Sequence, residues 1–93
     1  MTMTVDKKSV ADAIAEWTVA NFGIGQPAAA LPRDESLVEL GYLDSYAVVE
    51  LVEFLEKNWN ISILNEEITR DKMGSLNKMA TLILQKRGVA LRP

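Results

Sequence analysis

The residues of this chain best suited to covalent chemistry are two neighbours near its middle, Asp44 and Ser45. The sequence contains no cysteine and no histidine. It therefore lacks a thiol nucleophile, a disulfide, a thiolate metal site and a histidine general base, and we expect no metal site. We therefore expect covalent chemistry to run through a hydroxyl group such as that of Ser45, which needs a paired base to act as a nucleophile. No motif pairs Ser45 with a carboxylate or a lysine, so we expect it to be inert until another enzyme activates it.

An amphipathic helix should follow directly, beginning at Asp44 or Ser45 and ending at about Lys57. Its valines would also suit a strand, but acidic residues recur every three positions, which we interpret as one polar face opposite an apolar one. These acidic residues are Glu50, Glu53 and Glu56. The ordinary structural role of an Asp-Ser pair at such a point is to provide the helix N-cap.

Another helix is predicted before the site, from about Thr4 to Phe22, with Thr4 or Ser9 as its N-cap and Gly23 as its stop. Trp17 lies on its apolar stripe, where we expect it to belong to the core.

The segment from Gly23 to Leu43 is irregular and contains two prolines and three of the five glycines. A loop of this length in a small domain usually has a function. We expect it to contain a short turn at residues 36–40 whose leucines dock on the core.

The second half of the chain completes a helical fold. Trp59, Ile61 and Ile63 alternate with polar residues and predict an extended connection, and residues 65–72 predict one short helical turn. A last helix should begin near Ser75 and end at Lys86, Arg87 and a C′ glycine, Gly88. The sequence thus predicts a single domain over residues 1–93: an all-α four-helix bundle with three main helices, a short third helix and a long first loop. Its helical core should span about residues 5–87, with short flexible ends.

The charges are strongly polarised along the chain, although the formal net charge is only −3. Residues 34–67 hold one lysine and nine acidic residues, a net charge of −8, and residues 68–93 hold six basic residues and one acidic residue, a net charge of +5. The negative net charge argues against a nucleic-acid partner, since nucleic-acid-binding modules are usually basic, although the basic end leaves a helix-turn-helix DNA binder as a weak alternative. No signal peptide or membrane-spanning segment is evident, so we expect a cytoplasmic protein that does not contact a membrane.

A series of short motifs resembles the acyl and peptidyl carrier proteins over nearly the whole chain, from about Val5 to Arg87. The motifs are, in order, Gly41-x-Leu43-Asp44-Ser45, Val49-Glu50-Leu51-Val52, Leu55-Glu56, Ile61-x-Ile63, Glu66-Glu67-Ile68 and Met73-Gly74-Ser75-Leu76. The resemblance implies the acyl-carrier type of four-helix bundle. It also implies that a phosphopantetheinyl transferase, using Mg²⁺ and coenzyme A, esterifies Ser45 with 4′-phosphopantetheine. Asp44 would help to present the serine, and the arm would supply the thiol that the chain lacks.

The same resemblance implies a surface for partner enzymes on the helix after Ser45. Glu50, Glu53 and Glu56 would meet basic partners and raise the rate of association, and Tyr46 and Val48 would form the apolar centre of the contact. A solvated helix face and ordinary packing are the alternatives for these residues. We expect a monomer whose partners are the transferase, an acyl- or aminoacyl-activating ligase, and a downstream transferase or synthase.

Two departures point away from housekeeping fatty-acid synthesis. One extra residue separates Gly41 from Asp44, and Tyr46 replaces the leucine that follows the serine in fatty-acid carriers. We therefore expect a free-standing carrier, not itself an enzyme, in a dedicated lipid, aminoacyl or secondary-metabolite pathway. The alternatives are an unmodified carrier-like helical interaction protein and a small enzyme that uses Ser45 as its own nucleophile. Of the remaining aromatic residues, Phe54 and Trp59 should belong to the core, although one aromatic residue could border a space for the cargo.

Overall fold

A computed structural model describes residues 6–88, and within this range the chain is helical and contains no strand. Four α-helices follow one another as α1 (Lys7–Phe22), α2 (Ser45–Trp59), α3 (Arg70–Met73) and α4 (Leu76–Lys86). Two single turns of 3₁₀-helix, Ala28–Ala30 and Asn65–Glu67, interrupt the connections. This arrangement confirms the all-α prediction with four helices and a long first loop. The flexible ends expected at the termini, and the basic Arg92, lie outside the described residues.

The predicted start of α1 is wrong. Asp6, not Ser9, is the N-cap, because its Oδ1 accepts a hydrogen bond of 2.7 Å from the backbone N–H of Ser9, which is already inside the helix. The other predicted cap, Thr4, lies outside the described residues. The stop is confirmed, since Gly23 takes a left-handed conformation with φ of 64° that costs glycine little.

α1 and α4 form the most extensive helix pair, and α2 and the first loop add buried side chains to the same core. Its largest fully buried side chains come from every long helix and from the loop; they are Ile14, Leu37, Leu51, Leu55, Leu76, Ile83 and Leu84. Within the described residues, no helix combines the length and the apolar character needed to cross a membrane.

The turn predicted at residues 36–40 is present, but only one of its two leucines docks on the core. The backbone N–H of Leu40 donates to the carbonyl of Ser36 at 3.0 Å, and that of Tyr42 donates to the carbonyl of Leu37 at 2.9 Å. Leu37 is buried, whereas Leu40 is 48% exposed. A single tight turn has one inward side, and Leu40 falls on the other.

The first loop is tied to two helices by its own polar groups. The guanidinium of Arg33 donates to the carbonyls of Ala28 and Leu31 and to the carboxylate of Asp12 on α1. On α4, the backbone N–H of Asn77 donates to the carbonyl of Arg33 at 2.9 Å, and its side chain donates to Asp34 at 2.7 Å. These bonds hold the loop, and so the start of α2, in one position.

The short predicted helical turn is two turns in the structure. Asn65–Glu67 forms the first, and α3 forms the second, with the Thr69 Oγ1 as its N-cap. α4 begins after Ser75, whose Oγ caps it, and ends before Gly88 with φ of 75°, as predicted.

Gly74 joins α3 to α4 at a point where no side chain fits. A Cβ atom on this residue would lie 2.2 Å from the carbonyl oxygen of Arg70, a backbone atom that cannot yield without moving α3. We expect Gly74→Ala to lower the free energy of unfolding by about 1–3 kcal/mol, the usual cost of overpacking, as measured by urea denaturation.

Gly25→Ala is the matched control, because a Cβ there would meet no atom within 4 Å and the backbone is not left-handed. It should leave the stability unchanged or raise it slightly. Equal stabilities of the two variants would show that the close approach at Gly74 is not a constraint.

Candidate functional site

Ser45 is the first residue of α2, and Asp44 is its N-cap. The extended backbone of Asp44 lets its Oδ1 accept a hydrogen bond of 2.8 Å from the N–H of Ala47. This bond satisfies one of the free amides of the first turn, while those of Ser45 and Tyr46 have no acceptor within the helix. The positive end of the helix dipole therefore lies at Ser45, where it favours an anionic substituent.

The side chain of Ser45 is open to a second protein. Ser45 and its neighbours Asp44 and Tyr46 are all exposed. Among residues 6–88, the Ser45 hydroxyl forms no hydrogen bond, whereas the neighbouring Asp44 carboxylate accepts one from the Ala47 N–H. A partner enzyme could reach the hydroxyl without moving the fold.

An apolar groove of about 610 Å³ lies beside Ser45, which is one of its lining residues. The first loop, the start of α2 and the segment through α3 form its walls. The apolar side chains that line it are Val38, Val48, Val49, Ile68 and Met73. Val38 and Val49 are 50% and 57% exposed, so the groove presents apolar surface that a ligand could cover.

The structure separates the expected partner-binding residues of α2 into two groups. Tyr46, which is 74% exposed, shares the outward surface of the helix with Glu50 and Glu53. We call these three residues the outer face of α2. Val48 does not belong to it, since it is half-buried and lines the groove.

Glu56 does not belong to the outer face either. Each step of three residues covers about 300° of an α-helix, which is about 60° short of a full turn. The two steps from Glu50 to Glu56 therefore place Glu56 about 120° around the helix from Glu50. Its Oε2 accepts a hydrogen bond of 2.9 Å from the backbone N–H of Ile63 and so holds the extended connection after α2. The interpretation of the three glutamates as one polar face is therefore wrong for Glu56.

The sequence pointed to Ser45 and Val48 among the groove residues, and its carrier-like motifs also include Val49, Ile68, Met73 and Gly74. Val38 and Glu39 come from a loop turn and Arg70 from the single-turn helix α3, and the placement of both segments depends on tertiary contacts. The sequence signal that could have indicated Val38 is a valine in a loop turn, where an apolar side chain has no evident packing role.

Four of the six aromatic side chains form a cluster that joins α1 and α2. Trp17 and Phe54 stack with ring centroids 4.3 Å apart and an interplanar angle of 9°, and Phe22 and Trp59 meet this pair edge-on. All four side chains are partly buried against the core, as expected for packing residues. None of them lines the groove beside Ser45.

The groove wall is anchored by Glu67, just before Ile68. The Oε1 of Glu67 accepts hydrogen bonds from the backbone N–H of Leu64 at 2.9 Å and from the Lys86 ammonium at 2.7 Å. The hydrogen bond from Lys86, followed by that from Leu64, holds the pKa of Glu67 below its ordinary value of 4.5. These contacts attach the segment to the end of α4.

The comparisons with known proteins leave the resemblance to carrier proteins as a hypothesis. Neither a scan against protein-family models nor a search of the curated proteins gave a match.

The anchor at Glu67 predicts a pH-dependent contribution to stability. Because its pKa is lower in the folded protein, the contribution is full above the ordinary value of 4.5 and is lost as the pH falls through the folded pKa. We expect Glu67→Gln to lower the melting temperature at pH 7, and the melting curves of variant and parent to converge as the pH falls from 4.5 through the folded pKa.

The matched control is Glu66→Gln, since Glu66 is exposed and forms no ion pair among the described residues. Its melting temperature should equal that of the parent at pH 7 and at pH 3. A Glu67→Gln variant that stays equally far below the parent from pH 7 to pH 3 would contradict the assignment.

Proposed function

We propose that this protein is a free-standing acyl carrier protein that holds an acyl or aminoacyl group as a thioester on 4′-phosphopantetheine attached to Ser45. The observation that carries the proposal is the position of Ser45: an exposed hydroxyl at the first residue of α2, after the Asp44 cap, beside an apolar groove. The order of motifs around it supports the same function through their resemblance to the carrier proteins.

The start of α2 suits the phosphodiester that would link the arm to Ser45. Its free backbone N–H groups and the dipole both stabilise an anion. Asp44 already caps the helix through Ala47, which orients the first turn and presents the serine. The pantetheine arm would bring the thiol that a chain without cysteine cannot provide.

The groove gives this arm a place to lay its cargo. Its apolar walls are within reach of a substituent on Ser45, because Ser45 itself lines the groove. Covering the exposed Val38 and Val49 would remove apolar surface from water, which stabilises the complex in proportion to the area buried.

The outer face of α2 suits partners with basic surfaces. Tyr46 offers an exposed apolar contact beside the attachment site, and Glu50 and Glu53 offer negative charge. Such charges raise association rates more than affinities. The partners would be a phosphopantetheinyl transferase, an acyl- or aminoacyl-activating ligase and a downstream transferase or synthase. The departures around Gly41 and Tyr46 favour a dedicated pathway, and we place the protein, as a monomer, in the cytoplasm.

Incubation with coenzyme A, Mg²⁺ and a permissive phosphopantetheinyl transferase should raise the intact mass by that of one phosphopantetheine arm. Ser45→Ala should show no gain, since the ester oxygen is removed. Ser62→Ala, a control at another exposed serine, should gain mass like the parent. Intact-mass spectrometry measures all three.

No gain in the parent, or an equal gain in Ser45→Ala, would overturn the proposal. The first result would instead favour an unmodified helical protein that acts through its surface alone.

The acidic outer face can be tested with the same reaction. We expect the double variant Glu50→Lys and Glu53→Lys to lower kcat/KM for modification by about 10-fold or more at low salt, with a smaller loss at high salt, because steering is screened.

The control for net charge is Glu16→Lys, since Glu16 is exposed on α1, away from Ser45 in the sequence. Glu50→Lys and Glu53→Lys are also measured as single variants, which change the net charge by the same amount as Glu16→Lys. The Glu16→Lys variant should lower kcat/KM by less than either of them. An equal loss in Glu16→Lys and Glu50→Lys would mean that total charge, and not the outer face, governs the reaction.

A further inference from the structure

An ion pair crosses from the first loop to α3 at the groove. The guanidinium of Arg70, the first residue of α3, binds the carboxylate of Glu39 in the loop turn. Both residues are also groove-lining residues, with Ser45. A substituent on Ser45 that enters the groove would therefore approach the ion pair.

A second cavity, of about 430 Å³, shares this pair with the groove. Ser36, Glu39, Arg70 and Gly74 line both spaces. Beyond them, the second cavity is lined largely by polar and charged residues, among them Asp34 and Lys78. The ion pair thus forms part of a partition between an apolar groove next to Ser45 and a polar cavity on its far side.

The backbone segments that carry the ion pair are fixed, whereas the ion pair itself contributes little to the stability of the fold. The turn that carries Glu39 is closed by its own hydrogen bonds, including one from the Glu39 N–H to the Ser36 Oγ at 3.2 Å. The backbone of Gly74 packs closely against the Arg70 carbonyl at the start of α3. The side chains of Glu39 and Arg70 are 53% and 75% exposed, and such pairs are weak and sensitive to salt. Substitutions in the pair should therefore change the partition without unfolding the protein.

An alkyl chain and this ion pair are chemically mismatched. A chain that lies along Val48, Val49 and Met73 covers apolar surface, and each methylene adds to the stabilisation. A chain that reaches the pair must desolvate a carboxylate and a guanidinium without giving either a hydrogen bond, which is unfavourable.

We propose that the Glu39–Arg70 ion pair determines the length of cargo that the groove accepts. Short alkyl chains fit between Ser45 and the pair, and longer ones gain nothing further because the pair closes the way to the second cavity. This inference rests on the proposed function, in which Ser45 bears the cargo.

The test attaches alkyl chains without any transferase. Because the chain has no cysteine, Ser45→Cys provides a single thiol, whose sulfur displaces bromide from an N-alkyl bromoacetamide. Butyl, hexyl, octyl, decyl and dodecyl reagents give a series, and the melting temperature of each adduct is compared with that of the unalkylated protein. The series is run with the native pair, with Glu39→Arg, with Arg70→Glu, and with both substitutions together.

With the native pair, we expect the melting temperature to rise with chain length and then level off. Each single charge reversal places two like charges at the partition, and their repulsion should separate the two side chains. The plateau should then move to longer chains by about two methylene groups or more, since the alkyl chain can reach the exposed Leu40, the apolar residue that lines the second cavity. The double variant restores an ion pair of opposite orientation and should restore the original plateau. A residue that only lines the groove would not show this rescue.

The same plateau in all four proteins would overturn the inference. Melting temperatures independent of chain length in every protein would overturn it too, because the groove would then take no alkyl chain; the carrier function would still stand or fall on the transferase reaction at Ser45. Both pair residues are exposed, so the unalkylated variants should fold. Glu39→Gln, which removes one charge without repulsion, is a milder second variant and should move the plateau in the same direction.

Discussion

The attachment of the long first loop to α1 and α4 is the constraint on which the site depends. Arg33 satisfies two carbonyls of its own loop and the carboxylate of Asp12, and Asn77 binds the loop from α4. A loop of this length would otherwise lose much conformational entropy for few contacts. With the loop held, Leu37 enters the core, and the turn that follows it forms one wall of the groove beside Ser45.

α2 faces three environments at once, and its residue spacing explains how. Ala47, Leu51 and Leu55 are buried in the core. Ser45, Val48 and Val49 turn toward the groove, and the outer face carries Tyr46 and two glutamates to solvent. A substituent on Ser45 could therefore lie in the groove while the outer face stays free for a second protein. The proposed carrier function needs this division, because cargo and partner must be bound by one helix at the same time.

Much of the fold could be predicted from local signals. Gly23, Gly88 and the caps at Asp44 and Ser75 end or begin helices where expected, because caps act within one turn of the chain. Asp6 was missed as the cap of α1, since several polar residues near that end could serve and only the backbone geometry selects one. Glu56 was misplaced because recurrence every three residues drifts around a helix, and its bond to Ile63 depends on how the chain returns after α2.

The sequence by itself determined that the protein is helical, that α2 begins at the Asp44–Ser45 pair, and that no side chain of the chain is a thiol or an imidazole. Each of these depends on residue identity and short-range spacing. The tertiary structure alone decided that Ser45 lies beside an apolar groove and that Glu39 meets Arg70 across it. Those two residues are separated by 31 positions, and only the packing of the loop and of α3 around the core brings them together.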